Sequence, residues 1–403
     1  MATCILASAG SDGDVFPLLY LGLALAKRNH NIVLIAHGRY TRWAMQRGWE
    51  CRELNSPSEY VGYLKDVSLL TGRRRMDFFG KYYIPWNYKL FKLIKEVSSS
   101  NPTIVISQRS LKLNSDLIAN GIIGVPLLSI FLEPLNANAG ASNNAIDSSE
   151  VLFRREYAAL DRIMHTSITE RIRCVPRMRG PHLRVGLWPG WFTRGELQPH
   201  VDLQAGFPLS DDVVLDVETP IVISADILRR KPVVYIAGTP GTTDDWAPRF
   251  FNASISLSRL LTRPYVLLSN SCDALVGVTV EDGVAGSFAK LQELFSNSSG
   301  VVHHGGIGTC AAALAAGLPQ VIVPRVFGQE SNGIRMCKLG VAEIVRADDY
   351  VSGAALPKIV FCLTAKRGEK HIQKWQKAIH ESNAVQEVCN LVDQMLSNKS
   401  AIG

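Results

Sequence analysis

The chain has 403 residues, enough for two cores of ordinary size, and its 47% apolar and 20% charged content is globular rather than disordered. No apolar run reaches the roughly 18 residues of a membrane span, and the eight scattered cysteines form no C-x-x-C pair, so neither a zinc site nor a disulfide framework is implied. A formal charge of +7 is a mild bias that suits an anionic ligand or membrane surface, and no nucleic-acid partner is expected from it.

Thr3 to Ala9 predicts a first strand, and Gly10-Ser11-Asp12-Gly13-Asp14 a turn. Phe16 to Asn29 predicts a helix, with Leu18, Leu19, Leu21, Leu23, Leu25 and Ala26 as its apolar positions, and Asn31 to Ala36 a second strand. This βαβ unit opens a doubly wound sheet. Its turn reads G-x-x-G rather than G-x-G-x-x-G, and the second strand runs into His37 without an acidic residue, which disfavours a nicotinamide cofactor. Asp14 stands at the C-terminal end of the first strand, where open α/β sheets hold ligands. It also suits a helix cap, and it can serve both purposes only if its second oxygen stays free. Asp12 and Asp14 spell D-x-D, but two aspartates make an incomplete metal site. Met1 to Leu6 lead straight into the strand without a charged leader region, so no signal peptide is expected and the setting is cytoplasmic, with peripheral membrane contact open.

Gly72-Arg73-Arg74-Arg75, then Phe78, Phe79, Tyr82, Tyr83, Trp86 and Tyr88, form a basic and aromatic stretch. It reads either as a surface for an apolar acceptor or lipid headgroups, or as a solvated helix whose aromatics pack inward. Thr103 to Ser107 and Pro126 to Phe131 predict further parallel strands with a helix over 114–120 between them; 136–149 is a polar loop. Val151 to Met178 is mostly helical, and the segment from His182 to Phe207 carries Trp188, Trp191 and Phe192 among prolines and glycines. Residues 210–230 read as a linker between a first domain, 1–209, and a second, 231–403.

Pro232 to Ala237 opens the second domain as a strand, followed by Gly238-Thr239-Pro240-Gly241-Thr242. Tyr265 to Ser269 is the next strand. The densest pattern runs from Val301 to Asn332: an apolar pair, His303-His304-Gly305-Gly306-Ile307-Gly308-Thr309, an Ala-rich helix ended by Gly317, and a strand from Gln320 to Pro324. Glycines that admit a close ligand, followed by a helix whose free N–H groups and positive dipole end face the turn, suit a phosphate or diphosphate. His303, His304 and Thr309 add side-chain donors. The bland alternative is a glycine turn with two capping histidines. Lys370 to Leu396 is helical and basic at its start, and its end is expected to tie the two domains or pack back on the first.

H-H-G-G-I-G-T, the Ala-rich helix and G-L-P-Q-V-I-V-P resemble the donor-binding signature of nucleotide-sugar glycosyltransferases with the GT-B fold, the glycosyltransferase family 1 type. G-S-D-G-D-V-F-P resembles the G-x-x-G-D-V-x-P opening of bacterial members. L-W-P-G-W-F and A-G-F-P-L look like a segment of rhamnosyltransferases that make bacterial rhamnolipids. The resemblance implies two doubly wound Rossmann-like α/β domains facing across a cleft. The first would hold the acceptor, near Ser11, Trp86, Trp188 and Trp191, and a catalytic base, Asp14. The second would hold a UDP- or dTDP-sugar without metal. Thr239, His304, Gly305, Gly306, Gly308 and Thr309 would meet the diphosphate, Phe288 the nucleobase, and Gln329 and Glu330 the sugar. The family's usual Asp-Gln pair reads Gly328-Gln329 here, so the aspartate that would hold sugar hydroxyls is replaced by glycine.

The expected reaction is an inverting displacement in which a hexose moves to a hydroxyl of a small apolar acceptor, a lipid or an aromatic natural product. No cofactor beyond the nucleotide-sugar donor is expected. Two alternatives stand beside it: a nucleotide-sugar epimerase on the same scaffold, and a silent nucleotide-sugar-binding partner protein.

Overall fold

The computed structural model describes residues 1–68, 79–98, 102–108, 124–134, 182–196, 201–215, 221–238, 246–269, 275, 281–287, 289–325, 327–365 and 368–400. The chain divides into two units. The first comprises Met1–Trp188, Glu196–Pro208 and Asn383–Gly403, and the second Pro189–Gly195 and Leu209–Ser382.

The first unit is built on a seven-stranded sheet: β1 (Thr3–Ala7), β2 (Asn31–Ala36), β3 (Glu50–Glu53), β4 (Thr103–Gln108), β5 (Leu127–Phe131), β6 (His182–Gly186) and β7 (Leu203–Gln204). The order is β3-β2-β1-β4-β5-β6-β7, every pair parallel. Thr3–Ala7, Thr103–Gln108 and Leu127–Phe131 are buried along their whole length, as strands of a parallel sheet covered on both faces must be. The order reverses direction between β1 and β4, whose register pairs Ala7 with Ser107. The first helix, Asp12–Lys27, begins before the position that periodicity indicates. Pro17 lies inside it, and the start is set instead by Ser11 at the N-cap and by Asp12 and Asp14 in the first turn.

The second unit repeats this plan with six strands: β8 (Val233–Ile236), β9 (Tyr265–Leu268), β10 (Gly283–Gly286), β11 (Gly300–His303), β12 (Gln320–Ile322) and β13 (Ala342–Ile344). Their order is β10-β9-β8-β11-β12-β13, again all parallel, with the reversal between β8 and β11. Period-two alternation divides the core between the two faces. Val233, Tyr235, Val302 and Val321 pack with Phe250 and Phe251 of the Trp246–Leu261 helix, while Val234, Val301 and Val266 pack with Phe295, Ala312 and Ala313.

Three sequence expectations change. The helical stretch predicted over 370–396 is divided into Glu369–His380 and Ala384–Ser400, and the division between the units falls between Ser382 and Asn383. The second of them joins the first unit, where Arg28 Nη2 donates to Asn390 Oδ1 at 2.8 Å and His30 Nε2 lies 2.9 Å from Asp393 Oδ1. Residues 189–195, read as part of the first domain, go with the second unit. The interval 210–230 is more than a linker: Asp211 caps the Leu291–Ser296 helix through Gln292 N and Glu293 N, and Ala225–Arg229 is a short helix capped by Ser224. The predicted helices over 114–120 and 151–178, the loop 136–149 and the arginines 73–75 lie outside the described residues.

Candidate functional site

Ligands of open α/β sheets bind beyond the carboxyl ends of the strands where the order reverses. Each unit places its candidate residues there. In the first unit the point lies beyond β1 and β4. Gly10 turns the chain at φ +133°, a conformation that L side chains avoid. Ser11 then caps the helix, and Asp14 reaches back to it: Asp14 Oδ2 accepts the Ser11 N–H at 2.8 Å and the Ser11 hydroxyl at 3.0 Å. From β4, Gln108 Nε2 donates to Asp14 Oδ1 at 2.8 Å. A carboxylate oxygen accepts two hydrogen bonds, so Oδ1 is engaged but not saturated by this contact. Asp14 thus caps the helix with one oxygen and turns the other toward the sheet end.

Burial pushes the Asp14 carboxyl up to about 6, helped by the nearby Glu133 carboxylate and opposed by the Ser11 and Gln108 hydrogen bonds. Beneath the turn, His37 Nε2 accepts the Gly10 N–H at 2.9 Å, which assigns the proton to Nδ1, 2.8 Å from Asn55 Oδ1. Burial holds His37 down at about 4, so it is neutral. Its ring packs against Tyr60 and Trp86, both with centroids at 4.7 Å. Asp12 is occupied elsewhere: its Oδ1 accepts the Tyr40 hydroxyl at 2.6 Å and lies 3.6 Å from Arg39 Nε.

In the second unit the reversal lies beyond β8 and β11. His303, the last residue of β11, is buried, with Nδ1 accepting the Gly305 N–H at 3.1 Å and Nε2 3.0 Å from Gln320 Oε1. Both ring nitrogens are thereby used inside the unit, and burial holds the ring down at about 3. His303 is a scaffold for the turn, not the ligand donor that the sequence suggested. His304 is partly exposed and sits between two glycines. A Cβ on Gly238 would lie 2.5 Å from its Cγ, and one on Gly306 2.5 Å from its Nε2. Burial lowers His304 to about 4, opposed by a hydrogen bond with the Ile236 backbone, so the ring is a neutral imidazole.

Gly305 adopts φ +92°, and a Cβ there would meet the Gln329 carbonyl at 2.7 Å. Asn332 Nδ2 fixes the turn by donating to the Gly305 carbonyl at 3.2 Å. The helix Ile307–Ala315 follows with Gly306 as its N-cap, so no side chain covers its first amides. Gly308 faces open space, and Thr309 lies largely buried in the first turn. Gln329 is buried at the start of the helix Phe327–Lys338, its Oε1 accepting the Arg325 N–H at 2.9 Å; Glu330 beside it is exposed. Thr239 and Phe288 lie outside the described residues.

Of the acceptor-region residues, Ser11 and Trp86 stand with Asp14 and His37. Trp188 and Trp191 have packing partners of their own. Trp188 is fully buried with its ring against Gly186, where the missing side chain makes the space. Trp191 belongs to the second unit and stacks on Trp375 at 4.8 Å. Sequence reading missed Gln108, His37 and Gln320. A polar residue closing a buried apolar strand at the reversal point was the available signal for Gln108.

Comparison with known proteins bears on the fold. Residues 270–387 match the family model described as erythromycin biosynthesis protein CIII-like, C-terminal domain. Glycosyltransferase GtfC of Amycolatopsis orientalis is 32% identical over 123 residues, 30% of this chain and 29% of that protein, so the match spans under a third of the relative's length. Among solved structures, the calicheamicin glycosyltransferase CalG4 superposes with a TM-score of 0.72 at 16% identity, covering 98% of each chain. The spinosyn rhamnosyltransferase SpnG, solved with thymidine diphosphate, gives 0.69 at 12% identity over 97% of this chain and 100% of that one. The fold is therefore the GT-B fold of glycosyltransferases, two parallel-sheet Rossmann-like domains.

Proposed function

We propose that this chain is an inverting glycosyltransferase that moves a hexose from a nucleoside diphosphate sugar to a hydroxyl of a small apolar acceptor. The observation that carries the reading is the pairing of chemistry with topology. The reversal point of one sheet holds a carboxylate with raised basicity, and that of the other holds an uncapped helix start with a neutral histidine.

In this reading Asp14 Oδ1 takes the proton of the acceptor hydroxyl. The acceptor oxygen forms a bond to the anomeric carbon as the bond from that carbon to the diphosphate oxygen breaks. The electron pair leaves with the nucleoside diphosphate, and the anomeric configuration inverts. A base near pKa 6 ionises at neutral pH yet holds a proton better than an ordinary aspartate, which is what general-base work asks for. The charge that grows on the leaving diphosphate meets the amides at the start of Ile307–Ala315, donors already fixed before reaction, with the neutral His304 ring beside them. Each such donor contributes on the order of 3 kcal/mol in comparable sites. Asp12 is tied to Tyr40 and Arg39, so the D-x-D pair is not disposed as a cation site, and the reading is of a metal-independent enzyme. Relatives solved with thymidine diphosphate favour a dTDP-sugar over a UDP-sugar. No helix among the described residues is long and apolar enough to cross a membrane. The acceptor is read as a small apolar molecule, a lipid or an aromatic natural product.

The test is thermal stabilisation by dTDP and UDP, with and without magnesium, followed by transfer from the preferred sugar nucleotide to a panel of phenolic and steroidal hydroxyls. Stabilisation by one nucleotide without metal, with transfer abolished in Asp14→Asn, is the expected result. No stabilisation by either removes the donor site. Transfer unchanged in Asp14→Asn removes the base. Release of an epimerised sugar without acceptor supports an epimerase instead.

A further inference from the structure

Gln108 approaches Asp14 in a way that leaves the amide no choice of orientation. Its Oε1 accepts the main-chain N–H of Ala9 at 3.2 Å and lies 3.0 Å from the Ser8 hydroxyl. An N–H group cannot accept, so the oxygen must face Ala9, and Nε2 must face Asp14. Gln108 is buried, and its place is set by register: Ala7 pairs with Ser107, which puts Gln108 opposite Ser8 as the two central strands end. The donor toward Asp14 is therefore fixed by the sheet and not by a mobile side chain.

We propose that Gln108 is a positioning residue for the base: its locked amide N–H fixes the rotamer of the Asp14 carboxylate and favours its ionised form without placing a countercharge beside it. The inference rests on the reading of Asp14 as the base.

The chemistry of the alternatives shows what a neutral amide achieves. A lysine, arginine or protonated histidine at this position would hold the carboxylate ionised but depress its basicity by one to three pK units. An apolar residue would leave Oδ1 unpartnered and raise the carboxyl further. The amide lies between these, and Asp14 remains at about 6. The other groups around Asp14 agree. Glu133, just beyond β5, pushes the carboxyl up. Tyr60 and Tyr63, on the helix Pro57–Ser68, are themselves pushed up, in part by Asp14, and remain neutral phenols. His37 is neutral. Arg39, the nearby cation, is engaged with Asp12. Gln108 is thus a hydrogen-bond donor that supports the ionised base while bringing no charge.

The experiment is a titration of Asp14 in the full-length chain labelled with [4-13C]aspartate, its carboxyl signal assigned by difference with Asp14→Asn. Gln108→Glu is the main variant, because it is isosteric and can still accept from Ala9 and Ser8. Gln108→Met is the second, removing the donor without adding charge. The Asp14 midpoint is expected to rise by more than about one pH unit in Gln108→Glu and by about half a unit to one unit in Gln108→Met. The acid limb of kcat should move by the same amount, with dTDP affinity unchanged. Midpoints and acid limb unmoved in both variants, with dTDP binding and melting temperature intact, would overturn the proposal. The base assignment fails separately, if Asp14→Asn transfers sugar as the native chain does.

Discussion

The space a side chain would need at Gly10 is taken by Asp14. A Cβ on Gly10 would stand 2.3 Å from Asp14 Oδ2 and 2.6 Å from its Cγ, far inside contact distance. The same residue holds φ +133° and donates its N–H to His37. Gly10→Ala therefore strains the backbone and evicts the carboxylate together. Such strain costs about 1–3 kcal/mol, and a displaced base loses on the order of a hundredfold or more in kcat. Steady-state kinetics and a melting curve check both. A Gly10→Ala protein with native kcat would show that Asp14 does not need its observed position.

The pH dependence of stability has two opposing parts. Asp14 is held at about 6, above the 3.8 of a free aspartate, so the native state keeps a proton that the unfolded chain releases between these values. Its contribution is present below pH 3.8 and lost as pH rises through about 6. His37, His303 and His304 are held at about 4, 3 and 4, below an ordinary 6.5, so the unfolded chain takes up protons first. Their contribution is present above pH 6.5 and lost as pH falls toward 4. Three histidines outweigh one aspartate, and the melting temperature should fall between pH 6.5 and 4.5. Asp14→Asn removes the opposing part, so this variant should be more stable than the native chain at pH 7.5 and lose stability more steeply on acidification. Melting curves across this range check the sign, and a native chain that melts higher at pH 4.5 than at 6.5 would contradict it.

The fold was legible because its strands are nearly continuous apolar runs broken by glycine turns, as with Thr3 to Ala7 and Gly300 to His303. Asp14 and His304 were legible because each follows such a run. Gln108 was not, since its partner is 94 residues away and only the β1–β4 register brings them together. The roles of the two adjacent histidines were also hidden, because side chains that alternate along a strand leave its end in different surroundings. The packing of Trp188 and Trp191 was hidden for a related reason: Gly186 opens a slot for Trp188, and Trp191 lies against Trp375.

That difference between the histidines is testable. His303→Leu leaves the Gly305 N–H and Gln320 Oε1 without their partner inside the unit, at about 1–3 kcal/mol each. It should lower the melting temperature by several degrees. His304→Ala removes a ring wedged between Gly238 and Gly306 and leaves those hydrogen bonds intact. It should cost little stability but on the order of a hundredfold in kcat/KM for the donor. Differential scanning calorimetry beside donor kinetics separates the two, and equal effects of both variants on both measures would refute the division of roles.

Gly328 lies in the first turn of the Phe327–Lys338 helix, where the resemblance leads one to expect an aspartate before Gln329. Its φ is not positive, so a side chain is compatible with the backbone. A carboxylate in a first helical turn adds about 0.3–1 kcal/mol through the helix dipole. Gly328→Asp should therefore fold at least as well as the native chain. If the sugar lies against this turn, the new carboxylate accepts from its hydroxyls, and the KM for hydroxyl-rich hexose donors falls relative to that for deoxyhexose donors. The native glycine then reflects a donor sugar with fewer hydroxyls to hold. Competition between dTDP-glucose and dTDP-rhamnose for transfer by the two proteins decides it: an unchanged ratio places the sugar away from Gly328 and removes Gln329 and Glu330 from its binding site.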